Sequence, residues 1–483
     1  MQRMKTSIAV NFIYNMMYQI SLVILPLITS PYLSRVIGPE SIGNYSYSYS
    51  VAHYFYLFGM LGISNYGNRS ISAIRENQAM VNHTFSRIYY FQVIVSGIST
   101  IAYLFYCICI CNANVSLALA QVFYVLSSTL SVNWFFFGLE EFRVTVIRKI
   151  AIKLITTLCI FVFIKSPEQL LVYTLIIAGA ELLGEVYLWF YIPHYVKLVK
   201  VRIRDIFIGS KEIIILFFPI IATSVYRYMD KIMLGQLDGM IDVGQYDYAE
   251  KILMICLGCM TALGTVMLPK MANLVANKKD SEVKRYLDNS MQFAMLMGSA
   301  IAFGLGSVGK RLALVYFGEN FGSCGMAIEF LAITVLPIAW ANVLRNQYLI
   351  PSAKDKEYLL SVIIGAILNF SVNLVLIPKF GLSGAIVGTI LAEYSVAIIQ
   401  TIQVSKDINI HRYLISSISF LLIGMIMYIP VKLVALVTQD NLWGLLIQII
   451  LGGSIYIVVS LLYCRKKKNF IWNAVDRLIC RRK

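Results

Sequence analysis

Three charges fall within about one helical turn of an otherwise apolar run. They are Arg227, Asp230 and Lys231, in the stretch IIILFFPIIATSVYRYMDKIMLGQLDGMIDVGQYDYAEK between Ile213 and Lys251. A charge at the centre of a membrane helix costs roughly 2.5–3.5 kcal/mol on insertion scales, so three in one span must face protein or water. Arg227 and Lys231 are i,i+4 and share a helix face, with Asp230 on the neighbouring edge. This pattern points to a polar pathway through the membrane. An internal ion pair that fixes helix packing is the alternative.

Other polar groups interrupt apolar runs. Asn15 and Gln19 are i,i+4 in the first run, and Arg345 stands at the inner end of a later one. Asn369 and Asn373 are one turn apart, and such amides equally serve as interhelical glue. Glu181, Glu250, Glu393 and His53 also lie within spans, where an ionisable group could carry H+ or Na+ coupling. Glu250 could be neutralised by Lys251 beside it. Neither C-x-C-x-C (Cys107, Cys109, Cys111) nor C-x-x-C (Cys256, Cys259) has nearby His or carboxylate clusters, so these read as packing thiols and no metal site or cofactor is expected.

The elements that position these groups are membrane helices. The 483-residue chain is 59% hydrophobic and 14% charged, with mean hydropathy +0.73. A soluble chain carries about 25% charged residues. Continuous apolar runs exclude a β-barrel and imply an all-α polytopic protein. About fourteen spans are expected, centred near Ile20, Tyr54, Val95, Leu126, Leu158, Ala180, Val225, Leu257, Ile301, Leu336, Leu368, Ile390, Leu422 and Leu451. The net charge of +16 belongs to topology, not nucleic acid. Basic residues collect in alternate loops, from Arg3 and Lys5 through Arg143, Arg148, Lys149 and Lys153 to the tail after Arg465, which sets both termini in the cytoplasm.

A repeat runs through the chain. Ile42-Gly43-Asn44-Tyr45-Ser46-Tyr47 matches Val243-Gly244-Gln245-Tyr246-Asp247-Tyr248, and Gly38, Pro26, Lys165 and Glu181 match Gly235, Pro219, Lys379 and Glu393. The equivalent elements lie six spans apart and keep their orientation, so the repeat is parallel, about an axis along the membrane normal. Two six-helix lobes are expected, 1–205 and 206–410, followed by two more spans over 411–464 and a basic cytoplasmic tail, 465–483. Pro26, Pro31 and Pro219 mark broken helices of the kind that line transport cavities.

The stretches LPLITSPYLSRVIGPESIGNYSYSYS, GMLGISNYGNRSI, WFFFGLEEFRVTVIRKIAIKLI, YMDKIMLG with VGQYDYAEKI, and IPKFGLSGAIVGTILAE resemble the Wzx-type O-antigen and polysaccharide-repeat-unit flippases. These belong to the multidrug/oligosaccharidyl-lipid/polysaccharide exporter superfamily. The resemblance implies transfer of an undecaprenyl-diphosphate-linked oligosaccharide from the inner to the outer leaflet of a bacterial inner membrane. It also implies membrane lipids, a polysaccharide polymerase and a chain-length regulator as partners.

Such a cargo needs cations for the diphosphate and polar or aromatic groups for the sugars. Arg227, with its planar fork of donors, suits phosphate, and Arg227, Asp230 and Lys231 together keep a net positive charge. Lys231 could instead snorkel outward. Asn15, Gln19 and Arg345 join them as substrate candidates, and Arg35 at an outer helix end is placed to receive the diphosphate. A cation-coupled drug antiporter of the same superfamily would favour an acidic cavity. A polysaccharide polymerase would need a large outer loop with catalytic groups; here the outer loops are short and no nucleophile–base motif appears, so no enzyme is expected.

Overall fold

Helices make up nearly all of a computed structural model that describes residues 24–111 and 114–467, with 470–472 and 476. No strand occurs among the described residues. Every expected span centre from Tyr54 to Leu451 falls on a helix, whereas Ile20 lies outside the described residues, as do Asn15 and Gln19. Among the described residues, ten helices are long and apolar enough to cross a membrane. Gly38–Met60 and Phe142–Phe163 are not among them: Asn44, His53 and a run of Ser and Tyr make the first less apolar, and Arg148, Lys149 and Lys153 charge the second. These less apolar helices carry much of the site described below.

The chain divides into two compact units, Met1–Gly235 and Gln236–Lys483. By its packing, the stretch with Arg227, Asp230 and Lys231 therefore belongs to the first unit. This boundary lies 30 residues beyond the point where the sequence pattern restarts (235 against 205). The reason is a long antiparallel contact inside the first unit. Gly62 abuts the backbone of Ile213, Phe58 packs on Phe217 at 5.4 Å between centroids, the Tyr54 hydroxyl donates to the Ser224 carbonyl at 3.3 Å, and Gly235 abuts the Tyr47 ring. A side chain at Gly62 or Gly235 would overlap those neighbours, so the two glycines set the closeness of the helices.

The helix bounds bear on the expected repeat. Gly38, at φ +73°, opens the helix Gly38–Met60, whereas Gly235 lies inside the helix Asp230–Leu237. The residue that precedes the corresponding helix Met240–Ala276 is Gly239. Gly38 with Gly239 gives an offset of 201 (239 − 38), the same as Gly43 with Gly244 (244 − 43). A turn residue, not a helix-interior one, is the counterpart of Gly38.

One buried amide organises the core of the first unit. Gln92 donates through Nε2 to the carbonyls of Ser128 (2.6 Å) and Ser131 (2.8 Å), and its Oε1 accepts from Trp134 Nε1 at 3.0 Å. It thereby supplies partners across the break between helices Val122–Leu130 and Asn133–Gly138, where backbone groups would otherwise be orphaned. Trp134, Phe135 and Phe136 then pack with Phe85 and Ile71 in the buried core. In the second unit, Arg311 of the helix Asp280–Phe317 fastens the last two helices, Ile410–Val437 and Leu442–Lys467. Its guanidinium donates to Asp440 Oδ1, Thr438 Oγ1, Gln448 Oε1 and the carbonyls of Ala435 and Thr438, all within 2.7–3.0 Å.

Candidate functional site

The helix Gly38–Met60 presents a row of rings at i, i+4, i+8 and i+11: Tyr45, Tyr49, His53 and Tyr56. Successive centroids are 6.0, 5.8 and 6.0 Å apart and the planes lie within 28° of parallel. That spacing is the rise of about four residues of α-helix, so the row follows from the sequence period. The ladder residues are half-buried, while Ser46, Ser50 and Ala52 on the other faces are buried in the bundle.

Other helices bring three more tyrosines to the ladder. Tyr124 sits beside three of its rings: its hydroxyl is 2.7 Å from His53 Nδ1 and accepts from Tyr49 at 3.3 Å, and its ring lies 5.0 Å from Tyr56. Because Tyr49 donates to it, Tyr124 can pass its own proton toward Nδ1, which fits a neutral His53 carrying hydrogen on Nε2. Tyr228 approaches His53 at 4.1 Å and Tyr49 at 6.2 Å. Tyr173 caps the other end, 4.7 Å from Tyr45.

Tyr228 reaches the ladder because its own helix is broken. Pro219 has no N–H to donate, and Thr223 and Ser224 turn their hydroxyls back onto the carbonyls of Pro219, Ile220 and Ile221. The helix Ser210–Ser224 then widens into a π-helical turn, Val225–Met229, before Asp230–Leu237 resumes α-geometry. Wide turns of this kind re-aim side chains and recur at functional sites. This one sets Arg227 exposed, Asp230 fully buried and Lys231 8% exposed, with Lys231 Nζ 5.9 Å from the Tyr228 ring. Arg227 and Lys231 lie within electrostatic reach of His53, and Asp230 within reach of Tyr54.

A buried ion pair borders the ladder. Arg148 (5% exposed) and Glu185 (6%) meet at 3.2 Å, and Asn133 joins them by donating to both Glu185 oxygens (2.8 and 3.1 Å) and accepting from Arg148 Nη2 at 3.0 Å. Asn133 also donates to Ser131 Oγ at 3.3 Å, and Ser131 bonds Tyr56. Sequence reasoning put Arg148 among the cytoplasmic topology charges and did not select Glu185, Asn133 or the tyrosines. The ladder spacing was a legible signal, as was Glu185, one helical turn beyond Glu181.

Of the residues selected from sequence, Arg227, Asp230, Lys231, His53 and Glu181 gather around this cluster; Glu181 is exposed but within reach of Tyr49 and Glu185. Arg35 is exposed near a helix end, donating to the Pro31 carbonyl at 3.1 Å. Arg345, Glu250 and Glu393 belong to the second unit. Arg345 begins another π-helical turn, Arg345–Leu349, and its guanidinium lies 5.7 Å from the Tyr358 ring. Lys251 pairs with Asp247 at 2.6 Å, one helical turn away on the same face. Asn369 and Asn373 are fully buried and bonded to each other at 3.3 Å, with Asn373 against Gly388 of the next helix.

Comparison with known proteins agrees with this architecture. The profile of the family described as "Polysaccharide biosynthesis protein" matches residues 8–275, and that of "Lipid II flippase MurJ" matches residues 150–452. A Shigella dysenteriae protein named "Putative O-antigen transporter" is 24% identical over 377 residues, 77% of this chain and 93% of its own. The inward closed conformation of the lipid II flippase MurJ superposes with TM-score 0.71 at 14% identity, over 95% of this chain and all of that one. An inward-facing multidrug resistance MATE family transporter of the MOP superfamily superposes with TM-score 0.61 at 14% identity, over 84% and 96%. Likeness at such identity speaks for the fold alone, whereas the family profile covers more than half of the chain. The chain belongs to the polysaccharide biosynthesis protein family, as a multi-pass flippase and not an enzyme.

Proposed function

We propose that this flippase carries an undecaprenyl-diphosphate-linked oligosaccharide repeat unit from the inner to the outer leaflet of a bacterial inner membrane, for O-antigen or capsule assembly. It works by alternating access of two repeat-related lobes, with both termini in the cytoplasm. The observation that carries this reading is the ring ladder Tyr45–Tyr49–His53–Tyr56 with Arg227 and Lys231 beside it. Aromatic faces suit the apolar faces of sugar rings, and an Arg with a Lys suits a diphosphate. One site thus offers both chemistries of the cargo. The cationic balance also speaks against a cation-exporting antiporter.

Coupling to H+ or Na+ is assigned to His53 and Glu181 in the first unit, with Glu250 and Glu393 as the second unit's candidates. A polymerase and a chain-length regulator act on the delivered cargo. The test is a strain deleted for its own flippase and complemented with this chain. Restored surface polysaccharide, with clearance of lipid-linked oligosaccharide from the inner leaflet, is the expected result. Persistent accumulation despite membrane insertion of the chain would overturn the reading.

A further inference from the structure

A cavity of about 230 Å³ opens in the second unit. Its polar lining is Asp280, Lys284, Tyr348 and Asp407, with Val283 and Leu287 as a buried apolar wall. Three separate segments build it: the first turns of the helix Asp280–Phe317, the π-helical turn Arg345–Leu349, and the link between helices Leu382–Val404 and Ile410–Val437. Lys278, Lys279, Lys284, Arg285, Lys354, Lys356 and Lys406 crowd these segments, which marks the cytoplasmic side.

The cavity is held in shape by its own contacts. Lys354 Nζ bonds Asp407 Oδ2 at 2.5 Å and stands 5.3 Å from the Tyr348 ring, joining two links that are 53 residues apart in sequence. Two helix ends deliver the rim. Lys278 and Ala353 adopt left-handed φ of 55°, and the next residues, Lys279 and Lys354, donate to the carbonyls of Leu274 and Leu349 at 3.0 and 2.9 Å. These are Schellman endings, and in both of them a residue other than glycine takes the left-handed position.

The lining selects a chemistry. Lys354 balances the Asp407 carboxylate and the Lys284 ammonium balances Asp280, so the cavity favours neither a bare anion nor a bare cation, and four polar groups disfavour an acyl chain. Carboxylate acceptors, an ammonium donor, a phenol and an apolar wall together match a ring that carries vicinal hydroxyls on one edge and C–H groups on its face. Pockets for drug-sized ligands run from about 300 Å³ upward, so this one suits a single ring. We propose that the cavity is a cytoplasmic sugar subsite that holds one hexose-class residue, presented by the lipid-linked glycan or as a free monosaccharide. The glycan source rests on the proposed function; the subsite does not.

The test uses the full chain in detergent or nanodiscs, with glucose, galactose, N-acetylglucosamine and rhamnose as probes in saturation-transfer NMR. At least one should bind in the millimolar range. Asp280→Asn and Asp407→Asn should each weaken that binding by about tenfold, and inorganic phosphate should not compete. No binding by any probe, binding unchanged in both variants, or competition by phosphate would overturn the subsite. Gel filtration and melting confirm that each variant is folded, and Lys284→Ala supplies a third variant if either one is not. Export in the complemented strain separates the sources: Asp407→Asn slows it if the glycan presents the sugar and leaves it unchanged if the ligand is free. Failure of the wild-type chain to complement, with sugar binding retained, would sink the flippase reading and leave the subsite standing.

Discussion

The imidazole of His53 lies 4.1 Å from the ring of Tyr228, the tightest ring contact in the ladder region. It joins the second expected span to the broken seventh at the level of the buried charges. Such ring pairs are worth about 0.5–1.5 kcal/mol beyond the area they bury. Tyr228→Ala should therefore cut export several-fold in the complemented strain, and Tyr228→Phe should restore most of it. Equal loss in both variants would show that the hydroxyl, not the ring, is what matters.

Arg227 is the exposed cation of the wide turn, and Asp230 is its fully buried acid. Arg227→Ala should abolish surface polysaccharide while the chain still inserts, read by membrane fractionation alongside polysaccharide staining. Asp230→Asn should impair transport more than folding. Normal export from either variant at native expression removes that residue from the pathway.

Arg148 and Glu185 form a buried pair whose charges have little access to water. Removing one partner of such a pair typically costs about 3–5 kcal/mol, because the other is left unpaired, whereas replacing both by apolar residues is often near neutral. Arg148→Met should lower the melting temperature markedly, and Arg148→Met with Glu185→Leu should recover most of the loss. If the double variant melts as low as the single one while Asn133 is intact, the pair is not what holds these helices.

Asp238 stands in the turn before the helix Met240–Ala276, hydrogen-bonded to Asp242 and close to Gly381, where the helix Leu382–Val404 begins. Partial burial and the neighbouring Asp242 carboxyl push its pKa up to about 6 from the usual carboxylate range, against the backbone bond from Leu382. The folded turn thus holds a proton that the unfolded chain gives up near pH 4. The stabilisation is complete below that value and is lost as pH rises through about 6. Hydrogen exchange around Gly381–Leu382, corrected for intrinsic rates, should speed up between pH 5 and 7. Asp238→Asn should flatten that profile; an unchanged profile would refute the shared proton.

The spans and their order were legible because twenty-residue apolar runs leave few alternatives. The break in the seventh span was legible as far as Pro219, but the widening at Val225–Met229 was not, because it depends on hydroxyls turning back onto carbonyls. Arg148 was hidden by its neighbours: beside Arg143, Lys149 and Lys153 it has the composition of a topology charge, and only the fold turns it inward. Tyr45, Tyr49 and Tyr56 had a legible spacing, but among 31 tyrosines no single one is conspicuous by type. The unit boundary was displaced because a repeat restarts where sequence resembles itself, whereas packing follows contact, and the seventh span contacts the second along its length.

The ladder has a consequence for selectivity under the proposed function. Its rungs are rings about 6 Å apart. A ring engages the face of a sugar and is largely indifferent to which hydroxyl is axial. A row of such rungs senses how many residues pass and how flat they lie far more than which sugars they are. Related cargoes of similar length should therefore share this carrier, and discrimination between sugars would have to be made elsewhere, by groups that meet hydroxyls edge-on.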